Sequence, residues 1–180
     1  MDRSSQISPE VLQRAAHITL LVMDVDGVLT DGRITYAEYG DELKSFHVQD
    51  GAGLVYWHRA GLKSAIITSR KSRLVHRRAK ELSVHMLAQG SPLKLPVFER
   101  LLKKFHVTES QVCAIGDDLP ELAILRRVGF SVAVANAVSD IKAQCHYVTH
   151  RTGGHGAVRE VIELILKAKG LWEPILSEHH

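Results

Sequence analysis

Short, continuous apolar segments alternate with amphipathic segments along most of this chain. Residues 19–25 form the most apolar segment, and a strand without a polar face is typical of a sheet that is covered on both sides. The same pattern predicts strands at residues 64–68, 84–88, 112–115, 130–134 and 147–149. It predicts helices from Pro9 and at residues 51–60, 72–82, 93–105, 119–128, 138–144 and 156–168.

Strands that alternate with helices in this way indicate βαβ units. The predicted fold class is therefore α/β: a doubly wound, Rossmann-like, mostly parallel sheet with helices on both faces. One segment departs from the alternation, because residues 33–36 and 43–48 flank Tyr39, Gly40 and Asp41 as the arms of a β-hairpin. No linker or repeat divides the sequence, so we interpret residues 1–180 as one domain with a hairpin insertion at about 31–47.

Composition narrows the classes of function. With 45% hydrophobic and 24% charged residues, the chain resembles globular rather than disordered proteins. Its net charge of +3 predicts no nucleic-acid partner, and no segment has the length of a membrane span or the apolar core of a signal peptide. Two cysteines exclude a disulfide framework and a CxxC zinc site. We therefore expect a cytoplasmic protein that contacts no membrane.

Acidic residues follow two of the predicted strands. Parallel α/β sheets bind ligands beyond the carboxyl ends of their strands, so residues at these ends are the candidates for chemistry. Asp24 and Asp26 end the first strand, and Asp117 and Asp118 end a later one. Converging carboxylates repel one another unless a cation or a proton neutralises them. Oxygen ligands without cysteine or paired histidine favour Mg²⁺ over zinc.

Each candidate residue also has an ordinary structural explanation. A single aspartate after a strand is most often a turn or helix-cap residue, Thr68 by itself a strand-end hydroxyl, and Lys94 by itself a solvated helix residue. Their order and spacing favour a shared site, because every one of them stands at a predicted strand end or helix start.

These residues carry a family resemblance. The segment Asp24-Val25-Asp26-Gly27-Val28-Leu29-Thr30, followed in order by Thr68, Lys94 and Gly116-Asp117-Asp118, resembles the four motifs of haloacid dehalogenase-like phosphatases. The resemblance implies that Asp24 is the nucleophile and Asp26 the general acid and base. It also implies that Thr68 binds phosphoryl oxygens and that Lys94 neutralises charge on the phosphoryl group and Asp24.

The same resemblance implies a bound Mg²⁺ ion. Its ligands would be the side chains of Asp24 and Asp117 and the backbone carbonyl of Asp26. Asp118 and Glu121 would lie one shell further out and orient metal-bound water.

A narrower resemblance is to the small, capless phosphatases of 3-deoxy-D-manno-octulosonate 8-phosphate. It rests on residues 44–51, 66–71, 89–90, 115–120 and 153–160. The predicted substrate-binding residues are Asp26, Lys94, Arg70, Arg78 and a loop between hairpin and helix, formed by His47, Val48, Gln49, Asp50 and Gly51. Arginine suits a carboxylate or phosphate because it donates planar, charge-assisted hydrogen bonds, and Arg73 and Arg77 are rivals on the same helix as Arg78. Three positions depart from this family: Gln49 and Val55 stand where arginine is found in its members, and Ser69 stands where glycine is usual.

The chain has no room for the separate cap domain of larger relatives, so the hairpin stands in place of a cap. The narrower resemblance implies a homotetramer in which the hairpins of neighbouring subunits close each other's sites. Ile34, Tyr36, Tyr39 and Leu43 place apolar side chains on this small projection, which agrees with burial in an interface.

The sequence thus predicts a Mg²⁺-dependent phosphomonoesterase that acts on 3-deoxy-D-manno-octulosonate 8-phosphate, a small phosphorylated sugar acid, in lipopolysaccharide precursor synthesis. One alternative is a phosphatase of nine-carbon, sialic-type 2-keto sugar-acid phosphates. Two others are non-catalytic: an assembly domain of the same fold, against which the intact motifs argue, and a response-regulator-like receiver domain. A receiver domain would be shorter and would lack both the DxDG motif and the hairpin.

Overall fold

A computed structural model describes residues 7–178, so most of the polar lead-in before Pro9 falls outside the described residues. Six strands form the main sheet: β1 (Leu20–Met23), β4 (Lys63–Ile67), β5 (Met86–Ala88), β6 (Val112–Gly116), β7 (Phe130–Ala133) and β8 (Tyr147–Val148). The strand order is β5-β4-β1-β6-β7-β8, and every pair is parallel. The predicted α/β class with a parallel sheet is confirmed.

Strand β1 lies at the centre of this sheet. All four of its residues are buried, as its apolar sequence predicts. Met23 pairs with Ile66 on one side and with Ile115 on the other, so β1, β4 and β6 end at nearly the same level. The residues that follow these three strands therefore meet at one edge of the sheet.

Eight helices flank the sheet in the described part of the chain. They are α1 (Pro9–Ala16), α2 (Val48–Arg59), α3 (Arg73–Glu81), α4 (Lys94–Phe105), α5 (Leu122–Leu125), α6 (Ser139–Lys142), α7 (Ala157–Ala168) and α8 (Trp172–Ser177). Helix α7 packs against α1, α2 and α8, while α4 packs against α5 and β4. Trp57, Phe98 and Phe130 are among the largest side chains fully buried between these layers.

The hairpin is shorter than predicted. Its strands are β2 (Thr35–Tyr36) and β3 (Glu42–Leu43), which form an antiparallel pair of their own. No third strand within residues 7–178 joins this pair, and a lone two-stranded ribbon gains little from burial. Its apolar side chains are accordingly exposed, with Tyr39 92% and Tyr36 65% accessible.

The predicted loop at residues 47–51 is wrong, because helix α2 already begins at Val48. The ring Nδ1 of His47 accepts a hydrogen bond from the backbone N–H of Gln49 and so caps the helix. The sequence favoured a start at Gly51, since histidine is not among the common capping residues.

Two other segments also differ from their predictions. Residues 119–128 form a 3₁₀ turn (Leu119–Glu121) and the single-turn helix α5, because Asp118 and Glu121 form a capping box and Pro120 donates no hydrogen bond. Helix α8 was not predicted at all. Trp172 in α8 packs edge-on against Tyr56 of α2, so tertiary contacts hold this six-residue helix in place.

The helices of residues 7–178 include none that is long and apolar enough to cross a membrane.

Candidate active site

A tight turn follows β1 and brings two motifs into contact. The carbonyl of Val25 accepts hydrogen bonds from the N–H groups of Val28, Leu29 and Thr30. Gly27 has φ +91°, and a Cβ atom at this position would lie 2.0 Å from Oδ2 of Asp117. Glycine is therefore needed here both for the backbone angle and for the close approach of Asp117.

Three carboxylates converge beside this turn. Asp24, Asp117 and Glu121 each place one oxygen within 4.8 Å of the others. Burial raises the pKa of Asp24 to about 6, although Lys94 partly opposes the shift. Burial, with the negative charges of Glu121 and Asp24, raises the pKa of Asp117 to about 7. Since these groups resist ionisation without a counter-ion, and since all their donors are hard oxygens, the cluster suits a small divalent cation such as Mg²⁺.

Lys94 is the first residue of α4, and its side chain is 3% exposed. Its Nζ donates to Oδ1 of Asp24 at 2.6 Å and also to Glu121. Burial by itself would lower the pKa of Lys94, but the two carboxylates outweigh burial and raise it. Lys94 is therefore a fixed positive charge against the candidate nucleophile.

Glu121 connects this lysine to the end of β6. While one of its carboxylate oxygens accepts from Lys94, the other accepts the backbone N–H of Asp118 at 3.1 Å and of Asp117 at 3.4 Å. Asp118 accepts the N–H of Leu119 and starts the 3₁₀ turn. Both residues thus shape the loop that carries Asp117.

Asp26 faces the base of the hairpin. Nζ of Lys44 donates to Oδ1 of Asp26 and lies 3.5 Å from Oε1 of Glu42. Arg70 donates to the same Glu42 oxygen at 2.7 Å, and its Nε lies 3.8 Å from Oδ2 of Asp26. No sequence pattern indicated a role for Lys44 or Glu42, although Lys44 opens one of the segments that carry the family resemblance.

These residues line a pocket of about 170 Å³ beyond the carboxyl ends of β1, β4 and β6. Its lining is Asp24, Asp26, Thr68, Ser69, Arg70, Lys94, Asp117, Asp118, Pro120 and Glu121. A larger cavity of about 600 Å³ lies against α1, where Glu10 is the one acidic residue of its lining within the described chain. The smaller pocket is the candidate active site, because it brings the acidic residues that follow β1 and β6 together with Lys94 and Arg70.

Arg78 and the 47–51 segment are absent from this lining, as far as residues 7–178 are concerned. The Arg78 guanidinium lies 5.8 Å from the ring centre of Phe46, and its Nη1 lies 3.5 Å from Glu81. A Cβ atom on Gly51 would meet Arg78 Nη2 at 2.4 Å, so Gly51 makes room for this arginine. Val48 is 77% exposed.

Asp50 and Gln49 both contact the segment around the start of α7. Asp50 is 2% exposed and accepts the backbone N–H groups of Gly156 at 3.3 Å and Arg159 at 2.8 Å. Burial raises the pKa of Asp50, although these two hydrogen bonds oppose the shift. Gln49 accepts from Arg151 at 2.9 Å. Asp50 therefore joins α2 to the start of α7, and Gln49 joins α2 to the loop that precedes α7.

Asn136 is a site-shaping residue that sequence reasoning missed. Its Nδ2 donates to the carbonyl of Gly27 at 3.1 Å, and its Oδ1 accepts the N–H of Gly153 at 2.6 Å. The N–H of Gly154 donates to the carbonyl of Val28 at 3.0 Å. No local sequence pattern indicates this role for Asn136. Gly27 precedes it by more than a hundred residues, and Gly153 lies in a separate loop.

Comparison with known proteins agrees with this geometry. Residues 93–162 match the family described as haloacid dehalogenase-like hydrolase. The 3-deoxy-D-manno-octulosonate 8-phosphate phosphatase KdsC of Salmonella typhimurium is 44% identical over 164 residues, which are 91% of this chain and 87% of that protein.

Two solved structures are similarly close. The 3-deoxy-D-manno-octulosonate 8-phosphate phosphatase of Moraxella catarrhalis, in complex with magnesium ion, phosphate ion and KDO, is 45% identical with a TM-score of 0.94 over 97% of this chain and 100% of that one. A probable YrbI family phosphatase from Pseudomonas syringae is also 45% identical, with a TM-score of 0.94 over 96% and 98% of the two chains. The resemblance read from the motifs is confirmed: this chain belongs to the 3-deoxy-D-manno-octulosonate 8-phosphate phosphatases, a family of haloacid dehalogenase-like hydrolases.

Proposed function

We propose that this protein is a Mg²⁺-dependent phosphoric monoester hydrolase that converts 3-deoxy-D-manno-octulosonate 8-phosphate to the free sugar acid and phosphate, in lipopolysaccharide precursor synthesis. The observation that carries the proposal is one pocket in which Asp24, Asp26, Thr68, Lys94 and Asp117 converge. The high identity to phosphatases of this substrate along 91% of the chain supports the choice of sugar. The intact site argues against a non-catalytic assembly domain.

The cofactor is Mg²⁺. The residues proposed to hold it are Asp24 and Asp117 through their carboxylates and Asp26 through its backbone carbonyl, with Asp118 and Glu121 next to them. When bound, the cation neutralises charge between the carboxylates and the phosphate, so that an anion can approach a dianion. The raised pKa values of Asp24 and Asp117 support this assignment, since both carboxylates lack a sufficient counter-charge.

In the proposed first step, a carboxylate oxygen of Asp24 attacks phosphorus and forms an aspartyl-phosphate. Lys94 balances the negative charge on Asp24 and on the phosphoryl oxygens, and Thr68 with its neighbouring amides binds those oxygens. As the bond to the sugar oxygen breaks, Asp26 gives that oxygen a proton. Asp26 then takes a proton from the water that hydrolyses the aspartyl-phosphate.

Arg70 is the proposed contact for the sugar acid within the same chain. It lines the pocket, and its Nε is buried without a hydrogen-bond acceptor among the described residues, which leaves a donor for the substrate. Arg78 and residues His47, Val48, Gln49, Asp50 and Gly51 remain candidates by resemblance. They do not line this pocket, and Asp50 and Gly51 are buried within the chain, which leaves the exposed Val48 and Gln49 as the more accessible of these candidates.

We further propose a cytoplasmic homotetramer whose hairpins cover neighbouring sites. The pocket's volume of about 170 Å³ is below the range of roughly 300–1,000 Å³ that is usual for small-molecule sites, so the sugar needs further walls. Ile34, Tyr36, Tyr39 and Leu43 are 49–92% exposed on the hairpin. Replacing Ile34 and Tyr36 by serine should dissociate the oligomer and lower kcat/KM for the sugar phosphate more than for an aryl phosphate. A wild-type chain that sediments as a monomer would refute this assembly.

Phosphate release tests the function directly. The purified full chain with Mg²⁺ is given the eight-carbon sugar-acid phosphate, a nine-carbon 2-keto sugar-acid phosphate and 4-nitrophenyl phosphate in parallel. We expect kcat/KM to be highest for the eight-carbon substrate. Preference for the nine-carbon substrate would replace the proposed sugar, and absence of release from all three would refute a phosphatase.

A further inference from the structure

Lys44 is a charged side chain buried outside the four motifs. It follows β3, at the point where the hairpin returns to the body of the protein, and its side chain is 1% exposed. Lysine is almost never buried at this level unless its ammonium group is paired, because an unpaired buried charge loses its hydration without compensation. Among the described residues, Lys44 forms ion pairs with Asp26 and Glu42.

The two aspartates of the DxD segment have separate lysines. Asp24 accepts from Lys94, which comes from α4 on the body of the protein. Asp26 accepts from Lys44, which comes from the hairpin. Although both carboxylates line the same pocket, their neighbours differ. Asp24 lies in the acidic cluster, and Asp26 faces the hairpin.

Glu42 contacts both cations that lie near Asp26. Its Oε1 accepts from Arg70 at 2.7 Å and lies 3.5 Å from Nζ of Lys44. Arg70 Nε in turn lies 3.8 Å from Oδ2 of Asp26, which is an ion-pair distance and not a hydrogen bond, so Lys44 on Oδ1 is the close contact of this carboxyl group. The orientation of the Asp26 carboxylate therefore depends on Lys44 and Arg70.

We propose that Lys44 is a positioning residue for the phosphatase reaction: it holds the Asp26 carboxyl group where the leaving-group oxygen will be. The proposal rests on the proposed function, in which the bond between phosphorus and the sugar oxygen breaks while the bond to Asp24 forms and Asp26 transfers its proton to that oxygen. Lys44 exchanges no proton and touches no substrate. Its effect is confined to how well Asp26 reaches the leaving group, and hence to leaving groups that need a proton.

This gives Lys44 a signature that a purely structural ion pair lacks. A sugar alkoxide is strongly basic and needs a proton as it leaves, whereas 4-nitrophenolate is weakly basic and leaves without one. The constant kcat/KM covers the reaction up to the first irreversible step, which is phosphoryl transfer to Asp24, so it isolates the step in which the leaving group departs.

The test compares Lys44→Gln with the wild type on the sugar-acid phosphate and on a series of phenyl phosphates of increasing leaving-group basicity. We expect kcat/KM for the sugar-acid phosphate to fall about 10- to 100-fold, against less than about threefold for 4-nitrophenyl phosphate, with a graded loss between them. Equal loss on all substrates would overturn the proposal, and so would no loss on any. Failure of the wild type itself to release phosphate would instead refute the proposed function.

A ratio of two substrates measured on one preparation does not depend on how much of that preparation is folded. If Lys44→Gln yields no folded protein, Lys44→Arg keeps the charge but not the geometry and should still lose more activity on the sugar-acid phosphate. An Arg variant with an unchanged substrate ratio would then overturn the proposal. Lys103→Gln, the same change on an exposed residue of α4, is the matched control and should leave the ratio unchanged.

Discussion

Burial shifts the pKa values of ionisable groups in opposite directions at the two ends of the central sheet. At the carboxyl end, burial raises the pKa of Asp24 to about 6 and of Asp117 to about 7. At the amino end, burial lowers the pKa of His58 to about 4 and also lowers that of His85. Burial favours the neutral form in both places, and this raises the pKa of acids and lowers that of bases.

The neighbours of these groups show what each end is suited to. At the amino end, His58 has neutral neighbours: its Nε2 lies 2.7 Å from Oγ of Ser64, and its ring packs edge-on against His85 at 4.8 Å between centres. His85 also faces the charge of Lys63. The carboxyl-end acids face one another with a single lysine, Lys94, among them. The histidines are neutral at ordinary pH without a further partner, whereas the acids ionise readily only when a further cation balances their charge. Functional chemistry is expected where burial leaves charge uncompensated.

The largest effect should come from Asp24→Asn. The amide has almost the same shape but is neither a nucleophile nor an anionic ligand, so turnover should fall by at least about 10³-fold. Stability should be retained or rise, because one of the mutually repelling carboxylates is gone. Phosphate release and thermal unfolding measure the two effects. Activity above a few per cent of wild type would exclude Asp24 as the nucleophile.

Gly27→Ala should disrupt the candidate active site at the carboxyl end of the sheet by steric clash alone. The added Cβ would lie 2.0 Å from the Asp117 carboxylate, which must then move. Gly61→Ala is the matched control, because Gly61 also has positive φ but has nothing within 4 Å of an added Cβ. Both variants should lose about 1 kcal/mol of stability from backbone strain, while only Gly27→Ala should lose about 100-fold or more in activity. Equal activities would show that contact with Gly27 does not place Asp117.

The carboxyl end was largely predictable from sequence. Parallel strands end together, so polar residues after β1, β4 and β6 have to meet, and Asp24, Thr68 and Asp117 line one pocket as this rule requires. Lys94 joins them because α4 begins at that residue. The periodicity of the chain and the topology of the sheet are sufficient for these placements.

The contacts that could not be predicted from the sequence depend on the paths of loops. Lys44 reaches Asp26 only because the hairpin folds back over the site, and Asn136 reaches Gly27 only because the loop after β7 passes beside the turn. For the same reason, the sequence did not reveal that Asp50 accepts the backbone N–H groups of Gly156 and Arg159 at the start of α7. Such contacts join residues far apart in sequence and leave no periodic signal.

A smaller effect should follow from Asp117→Ala. Loss of one carboxylate should weaken Mg²⁺ binding by at least about tenfold and lower activity with it, and excess Mg²⁺ should restore part of the activity. Calorimetric titration with Mg²⁺ measures the affinity. Asp140→Ala, the same change on an exposed residue of α6, is the control. Unchanged Mg²⁺ affinity in Asp117→Ala would remove Asp117 from the proposed ligands.

The smallest expected effect is the change in stability with pH that comes from His58 at the amino end of the sheet. The unfolded chain protonates His58 near its ordinary pKa of 6.5, whereas the folded chain does so only near 4. Between these values the unfolded state binds more protons, so the contribution of His58 to stability is complete above about pH 6.5 and is lost as the pH falls toward 4. Because His58 is only half-buried, solvent screening limits this loss to about 1 kcal/mol.

His58→Gln keeps a hydrogen-bonding side chain beside Ser64 but removes the titration. Urea unfolding at about pH 7.5 and about pH 5 should therefore show a smaller acid-induced loss in this variant than in the wild type. The remaining loss comes from the other titrating groups, including His85, which also faces Lys63. His76→Gln, on an exposed position of α3, should behave as the wild type does. If His58→Gln loses as much stability as the wild type between the two pH values, the amino end does not hold His58 neutral, and the contrast between the two ends of the sheet fails.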